Sequence, residues 1–88
     1  MIENKYKITY PYGLHARTGT MLVAKANGFK SEMVIEFDDR KVNLKSIMGV
    51  LSLAVPANRS FRIMITGSDE EEASQAIARA IADINEMK

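Results

Sequence analysis

His15 is the single histidine of the chain, and Arg17 follows it by two residues where an apolar-periodic stretch begins. If a helix starts there, the first-turn N–H groups of Ala16, Arg17 and Thr18 have no helical acceptors. Such a helix end binds anions, and Arg17 would add a permanent charge with forked donors. A neutral imidazole at that place is a nucleophile beside a phosphate site. The alternative is a solvated turn histidine that half-caps a helix. A second candidate is Lys45-Ser46-Ile47-Met48-Gly49. A serine at a helix start can carry a phosphate that the helix dipole stabilises, with Lys45 adjacent, or it can simply cap the helix. The third is the uncharged run 46–55. Its Ile47, Met48 and Leu51 form either core or an exposed docking patch, for which a flexible methionine is suited.

Other groupings lead elsewhere. Asp69 to Glu72 could suggest a metal, but four acids at a helix start suit the dipole better. Tyr6, Tyr10 and Tyr12 could stack on bases. However, no RNP-type motif accompanies them and the net charge is only +1, so nucleic acid is not expected. The chain lacks cysteine, which removes disulfides, thiol catalysis and cysteine-ligated metals. Neither a metal nor a cofactor is expected. No apolar run reaches the ~18 residues of a membrane span, and the N-terminus does not form a signal-like apolar block. A cytoplasmic location is the expectation. Eighty-eight residues, 47% hydrophobic and 26% charged, fit one folded domain over 1–88.

The elements that must position these residues follow from periodicity. Residues 2–10 alternate, with Ile2, Tyr6 and Ile8 on one parity, before Pro11-Tyr12-Gly13 breaks the strand. Residues 15–27 predict a helix with Gly19, Leu22, Val23 and Ala26 as its core stripe and Gly28 as its stop, in a positive-φ conformation. Residues 31–38 and 40–44 predict a hairpin turning at Asp38-Asp39. A helix over 46–55 is ended by Pro56, and a strand covers 60–66. The last helix shows capping-box spacing from Ser68 to Glu71 and the stripe Ala73, Ala76, Ile77, Ala80, Ile81 and Ile84. The order β-α-β-β-α-β-α favours one sheet with helices on one face; strand order stays open.

Gly13-Leu14-His15-Ala16-Arg17 and Val42-Asn43-Leu44-Lys45-Ser46-Ile47-Met48-Gly49-Val50-Leu51-Ser52-Leu53, at this separation, resemble the HPr family of histidine-containing phosphocarriers and its regulatory relative Crh. The resemblance implies an α+β open-faced β-sandwich, a four-stranded antiparallel sheet covered on one face by three helices. It implies a carrier, not an enzyme. His15 would accept a phosphoryl group from phosphorylated enzyme I and pass it to enzyme IIA domains. Arg17 and the Ala16 amide would hold the phosphoryl group, and Thr20, Ile47, Met48 and Leu51 would dock partners. In Gram-positive members a kinase/phosphorylase modifies the serine matched by Ser46, and the product binds a catabolite-control transcription regulator. Crh-like members act through that serine and lack the histidine, so His15 favours the carrier. A monomer is implied, because the docking face must stay free. The chain departs from the family pattern at Thr18, where proline is usual, at Gly19, at Tyr12 and at Pro56. A looser first turn is therefore expected beside His15, and proline at position 18 is expected to stabilise by about 0.4–1 kcal/mol.

Overall fold

The computed structural model describes residues 1–87. Its elements are β1 (Ile2–Lys7), α1 (Ala16–Ala26), β2 (Glu32–Phe37), β3 (Arg40–Asn43), α2 (Ile47–Leu53), β4 (Ser60–Thr66) and α3 (Glu70–Asn85). The strands form one antiparallel sheet in the order β1-β4-β2-β3. Periodicity does not set this order, but it does set the faces. Ile63 lies opposite Ile35, and Ile65 lies between Met33 and Ile2. Tyr6 pairs with Phe61 and packs ring to ring at 6.1 Å. This parity faces the helices. On the other parity, Arg62 reaches Glu3 at 3.1 Å and Glu36 at 3.0 Å across three strands. These exposed pairs contribute little stability, but they keep the uncovered face polar.

The helices close the apolar face. Leu22, Val23 and Ala26 of α1 and Ala73, Ile77, Ile81 and Ile84 of α3 share one core with Met33, Ile35, Ile63 and Ile65. Each fully buried isoleucine contributes about 1.5–3 kcal/mol relative to exposure. The architecture is thus the open-faced α+β sandwich expected above.

Several boundaries differ from the sequence expectation. β1 stops at Lys7, because its last partner is Ser60 at the start of β4. Ile8 and Tyr10 keep the inward parity and are buried, but outside the ladder. α2 ends at Leu53, two residues short of the predicted end at Val55, because Ala54 turns left-handed with φ 51° and closes the helix before Pro56 is reached. Gly28 does not need positive φ: Asn27 caps α1 in right-handed geometry, and its side-chain amide donates to the Val23 carbonyl at 3.0 Å. The hairpin is as predicted, with Asp38 and Asp39 at φ 50° and 65°, the pattern of a two-residue turn matched to strand twist.

The start of α3 is also different. Asp69, not Ser68, is the cap residue, and its carboxylate makes no cap bond. It turns instead to the residues before β2. It accepts from the Ser31 hydroxyl, from Lys30 N–H at 2.8 Å and from Ser31 N–H at 3.0 Å. Glu70, not Glu71, folds back, accepting from Gly67 N–H at 3.1 Å. The Ser31 hydroxyl and then the Lys30 amide hold the Asp69 carboxyl below its ordinary 3.8; the Gly67 amide and then the Met1 ammonium lower Glu70. A carboxyl depressed by folding stabilises above its unfolded pKa, and that contribution is lost as pH falls through the folded value. Acid unfolding below about pH 4 should therefore have a shallower slope in Asp69→Asn than in the wild type. Urea midpoints measured from pH 6 to pH 2 check this; parallel curves would remove Asp69 from the acid limb.

Candidate functional site

The site begins with the turn that precedes α1. Gly13 takes φ 64°, and its N–H donates to the Tyr10 carbonyl at 2.9 Å. Leu14, 3% exposed, anchors the turn in the core, and its N–H donates to the Val55 carbonyl at 2.9 Å. His15 follows in extended geometry as the cap residue of α1. Its Nδ1 accepts from Arg17 N–H at 3.3 Å. Because that amide must donate, Nδ1 is unprotonated and the ring proton sits on Nε2. The Ala16 amide, at the first helical position, has no helical acceptor. Arg17 is exposed, and the first turn carries no acid. His15, Ala16 and Arg17 are therefore brought together as the sequence expects.

Thr18 reverses an expectation. The first turn is not loose, because the Thr18 hydroxyl clasps it. That hydroxyl donates to the Gly13 carbonyl at 2.7 Å and accepts from His15 N–H at 3.1 Å, in full burial. Proline could not make either bond. The loss of two buried hydrogen bonds, about 1–3 kcal/mol, exceeds the 0.4–1 kcal/mol gained from a stiffer unfolded chain. Thr18→Pro should therefore destabilise, and the near-isosteric Thr18→Val should cost about 1–2 kcal/mol. Thermal melts of both variants decide it; a rise in melting temperature for proline would show that the clasp is dispensable.

Gly19 is also more than a weak helix former. A Cβ there would lie 3.1 Å from Leu51 Cδ2, so its absence lets α2 sit close against α1. On α2, Ser46 is the N-cap; its Oγ accepts from Gly49 N–H at 3.1 Å. Lys45 is not free to assist Ser46. Its Nζ donates to the Phe29 carbonyl at 2.6 Å, and Asn27 Nδ2 donates to the Lys45 carbonyl at 3.1 Å. The uncharged helix is two-sided. Val50 and Leu53 are core, whereas Met48 is 81% and Ile47 44% exposed, with Leu51 half-buried between them. Thr20 and Met21 are exposed on α1. Met21 was legible only as a residue off the core stripe.

The packing of Tyr10 and Tyr12 against His15 was not read from the sequence. Tyr6 belongs to the sheet. Tyr10 stacks on the His15 ring, with centroids 5.9 Å apart and planes 21° apart. Tyr12 stands edge to face against both rings, 6.1 Å from His15 and 5.8 Å from Tyr10. The spacing of two aromatics within five residues of the lone histidine was the available signal.

Residues 2–83 match the family pattern described as the PTS HPr component phosphorylation site. The chain belongs to the HPr family. HPr relatives agree over nearly the full length. The HPr-like protein Crh of Halalkalibacterium halodurans is 42% identical over 77 residues, which are 88% of this chain and 92% of the relative. A solved HPr of Thermoanaerobacter tengcongensis superposes with a TM-score of 0.94 at 38% identity, covering 100% of this chain and 99% of that one. Crh of Bacillus subtilis, solved as a dimer with a swapped domain, gives a TM-score of 0.74 at 37% identity, covering 96% and 97%. The HPr fold is therefore reproduced at the level of the whole chain, and the relatives include both phosphocarriers and Crh proteins.

Proposed function

We propose that this HPr-family chain is a phosphoryl carrier that accepts the group on His15 Nδ1 from phosphorylated enzyme I and delivers it to enzyme IIA domains. The observation that carries the reading is the aim of Nδ1 at the start of α1, 3.3 Å from the Arg17 amide. The Nδ1 lone pair attacks phosphorus, and the bond from phosphorus to its donor breaks with the electron pair leaving on the donor. Nε2 keeps its proton, so the product is a phosphoimidazolium. The phosphoryl oxygens then meet the Ala16 and Arg17 amides and the Arg17 guanidinium. With no acid in the first turn of α1, no carboxylate there activates water against the bond. Delivery reverses the same steps. This is carriage, not turnover of a substrate, and it takes place in the cytoplasm. A monomer serves it, since Thr20, Ile47, Met48 and Leu51 stay open to partners. Incubation with enzyme I and phosphoenolpyruvate tests the reading: one acid-labile phosphate per chain is expected, and none would overturn it.

The identity to Crh favours a second role through Ser46. A kinase/phosphorylase that reaches Ser46 would replace a cap hydroxyl by a group of roughly −2 charge. That charge would lie beside Ile47, Met48 and Leu51. Binding there by enzyme I must then desolvate it, whereas a regulator with basic residues gains a partner. Calorimetric titration should show Ser46-phosphorylated protein binding enzyme I at least tenfold more weakly, about 1.4 kcal/mol, than unmodified protein. Equal affinity would leave Ser46 as a cap only.

A further inference from the structure

The chain has six methionines, and the fold exposes them very unequally. Met33 is core at 2% exposure, Met64 and Met87 are half-buried, and Met21 is 41% exposed. Met1, at 75%, lines a groove with Glu3 and Thr66 on the uncovered face of the sheet. Met48, at 81%, is the most open of the large apolar side chains. It stands on the uncharged helix α2 with Ile47 and Leu51 beside it. The helix is held at both ends, so it does not turn this side chain away. Lys45 ties its start to Phe29 and Asn27. At its end Arg40 Nη1 donates to the Ser52 carbonyl at 3.0 Å, and Ser52 Oγ donates to the Gly49 carbonyl at 2.6 Å. A thioether fixed there is apolar enough for a partner to desolvate and open enough to meet an oxidant. Its sulfoxide is a polar, chiral group.

We propose that Met48 is a reversible oxidation site that switches partner docking on α2, apart from any change at Ser46. The inference rests on the carrier reading for the partner it controls. The oxidant is a peroxide. With hydrogen peroxide, the Met48 Sδ lone pair attacks one oxygen and the O–O bond breaks. The proton on the transferred oxygen joins the departing hydroxide as water. The sulfur is oxidised by two electrons and the peroxide is reduced. A methionine sulfoxide reductase reverses the step, taking two electrons from a dithiol, which becomes a disulfide, and releasing the oxygen as water. A partner that buries the patch must strip water from the sulfoxide oxygen without giving it a donor. The core is untouched, because Met48 is outside it.

The test uses protein unmodified at Ser46, treated with hydrogen peroxide that is then removed. Mass spectrometry should find oxygen on Met48 and Met1 before Met21, and on Met33 last. Calorimetric titration should show the oxidised protein binding enzyme I about tenfold more weakly. Its melting temperature should be unchanged, and methionine sulfoxide reductases should restore the affinity. Each variant is compared with its own untreated form. Met21→Leu should lose affinity on treatment as the wild type does, and Met48→Leu should not. Unchanged affinity with Met48 oxidised, or an equal loss in treated Met48→Leu, overturns the proposal while leaving the carrier reading in place. Enzyme I that binds neither the treated nor the untreated wild type overturns both.

Discussion

His15→Ala takes up no acid-labile phosphate from phosphorylated enzyme I, while its circular dichroism and cooperative unfolding stay those of a folded domain. Both halves of this expectation have causes in the site. There is no second histidine to replace the nucleophile. The stability cost is bounded, because the clasp from Thr18 to Gly13 and to the His15 backbone does not involve the imidazole. What is lost is the acceptor for Arg17 N–H and the ring packed on Tyr10. Loss of a cap costs about 0.5–2 kcal/mol, which a domain stable by about 5–15 kcal/mol survives. His15→Asn separates the two roles. Asparagine is a strong cap residue but not a nucleophile of this kind, so it should recover most of the stability and none of the phosphate. Phosphate uptake by either variant would move the acceptor to another residue.

The larger structural effect is expected one turn earlier. Gly13→Ala should lower stability by about 3 kcal/mol or more, equivalent to a fall of about 12–24 °C in melting temperature for a domain of this size. Two terms add. A side chain at φ 64° costs about 1–2 kcal/mol in left-handed geometry. In addition, the new Cβ would press into the Val55 carbonyl oxygen and lie 2.9 Å from Pro56 Cα, both backbone and unable to swing aside. The turn would have to lift off the loop after α2, breaking the bond from Leu14 N–H to Val55. His15 would move with it, so phosphoryl acceptance should fall together with stability. A thermal melt within about 2 °C of wild type would show that the turn relaxes without strain.

Much of this architecture was legible because it rests on patterns that physics repeats. The isoleucine stripe of α3, the alternation in β2 and β4 and the Asp38-Asp39 turn all express burial or backbone preference directly. The misplaced boundaries have one shared reason. Periodicity reports burial, and burial outlasts the regular ladder: Ile8 and Tyr10 stay inward past the last strand pair, where Ile8 bonds instead to Arg59 and Asn58 of the loop before β4. Contacts between distant residues were not legible. The spacing from Ser68 to Glu71 suggested a cap, but Asp69 is the cap residue and is itself drawn to Ser31, thirty-eight residues away. At the site, residue type at a helix start singled out His15 and Arg17 as candidates, and the resemblance to the HPr family implied their roles. Thr18 was misread because propensity counts the stiffness of a residue and not the carbonyl its hydroxyl can reach. Tyr10 and His15 stack only because the left-handed turn at Gly13 folds one back over the other, which neither a period of two nor one of 3.6 encodes.

The strap from Asn27 and Phe29 to Lys45 has a consequence for how the domain breathes. α2 has seven residues, too few to hold a helix in water unaided. Its entry is tied by two bonds to the cap of α1 and the segment just after it, and its body rests on the flat made by Gly19. The helix that presents Met48 to solvent therefore cannot melt by itself. Hydrogen exchange should therefore show the amides of α2 and of the end of α1 opening as one cooperative unit, with a partner clamped on Met48 slowing exchange as far away as Asn27.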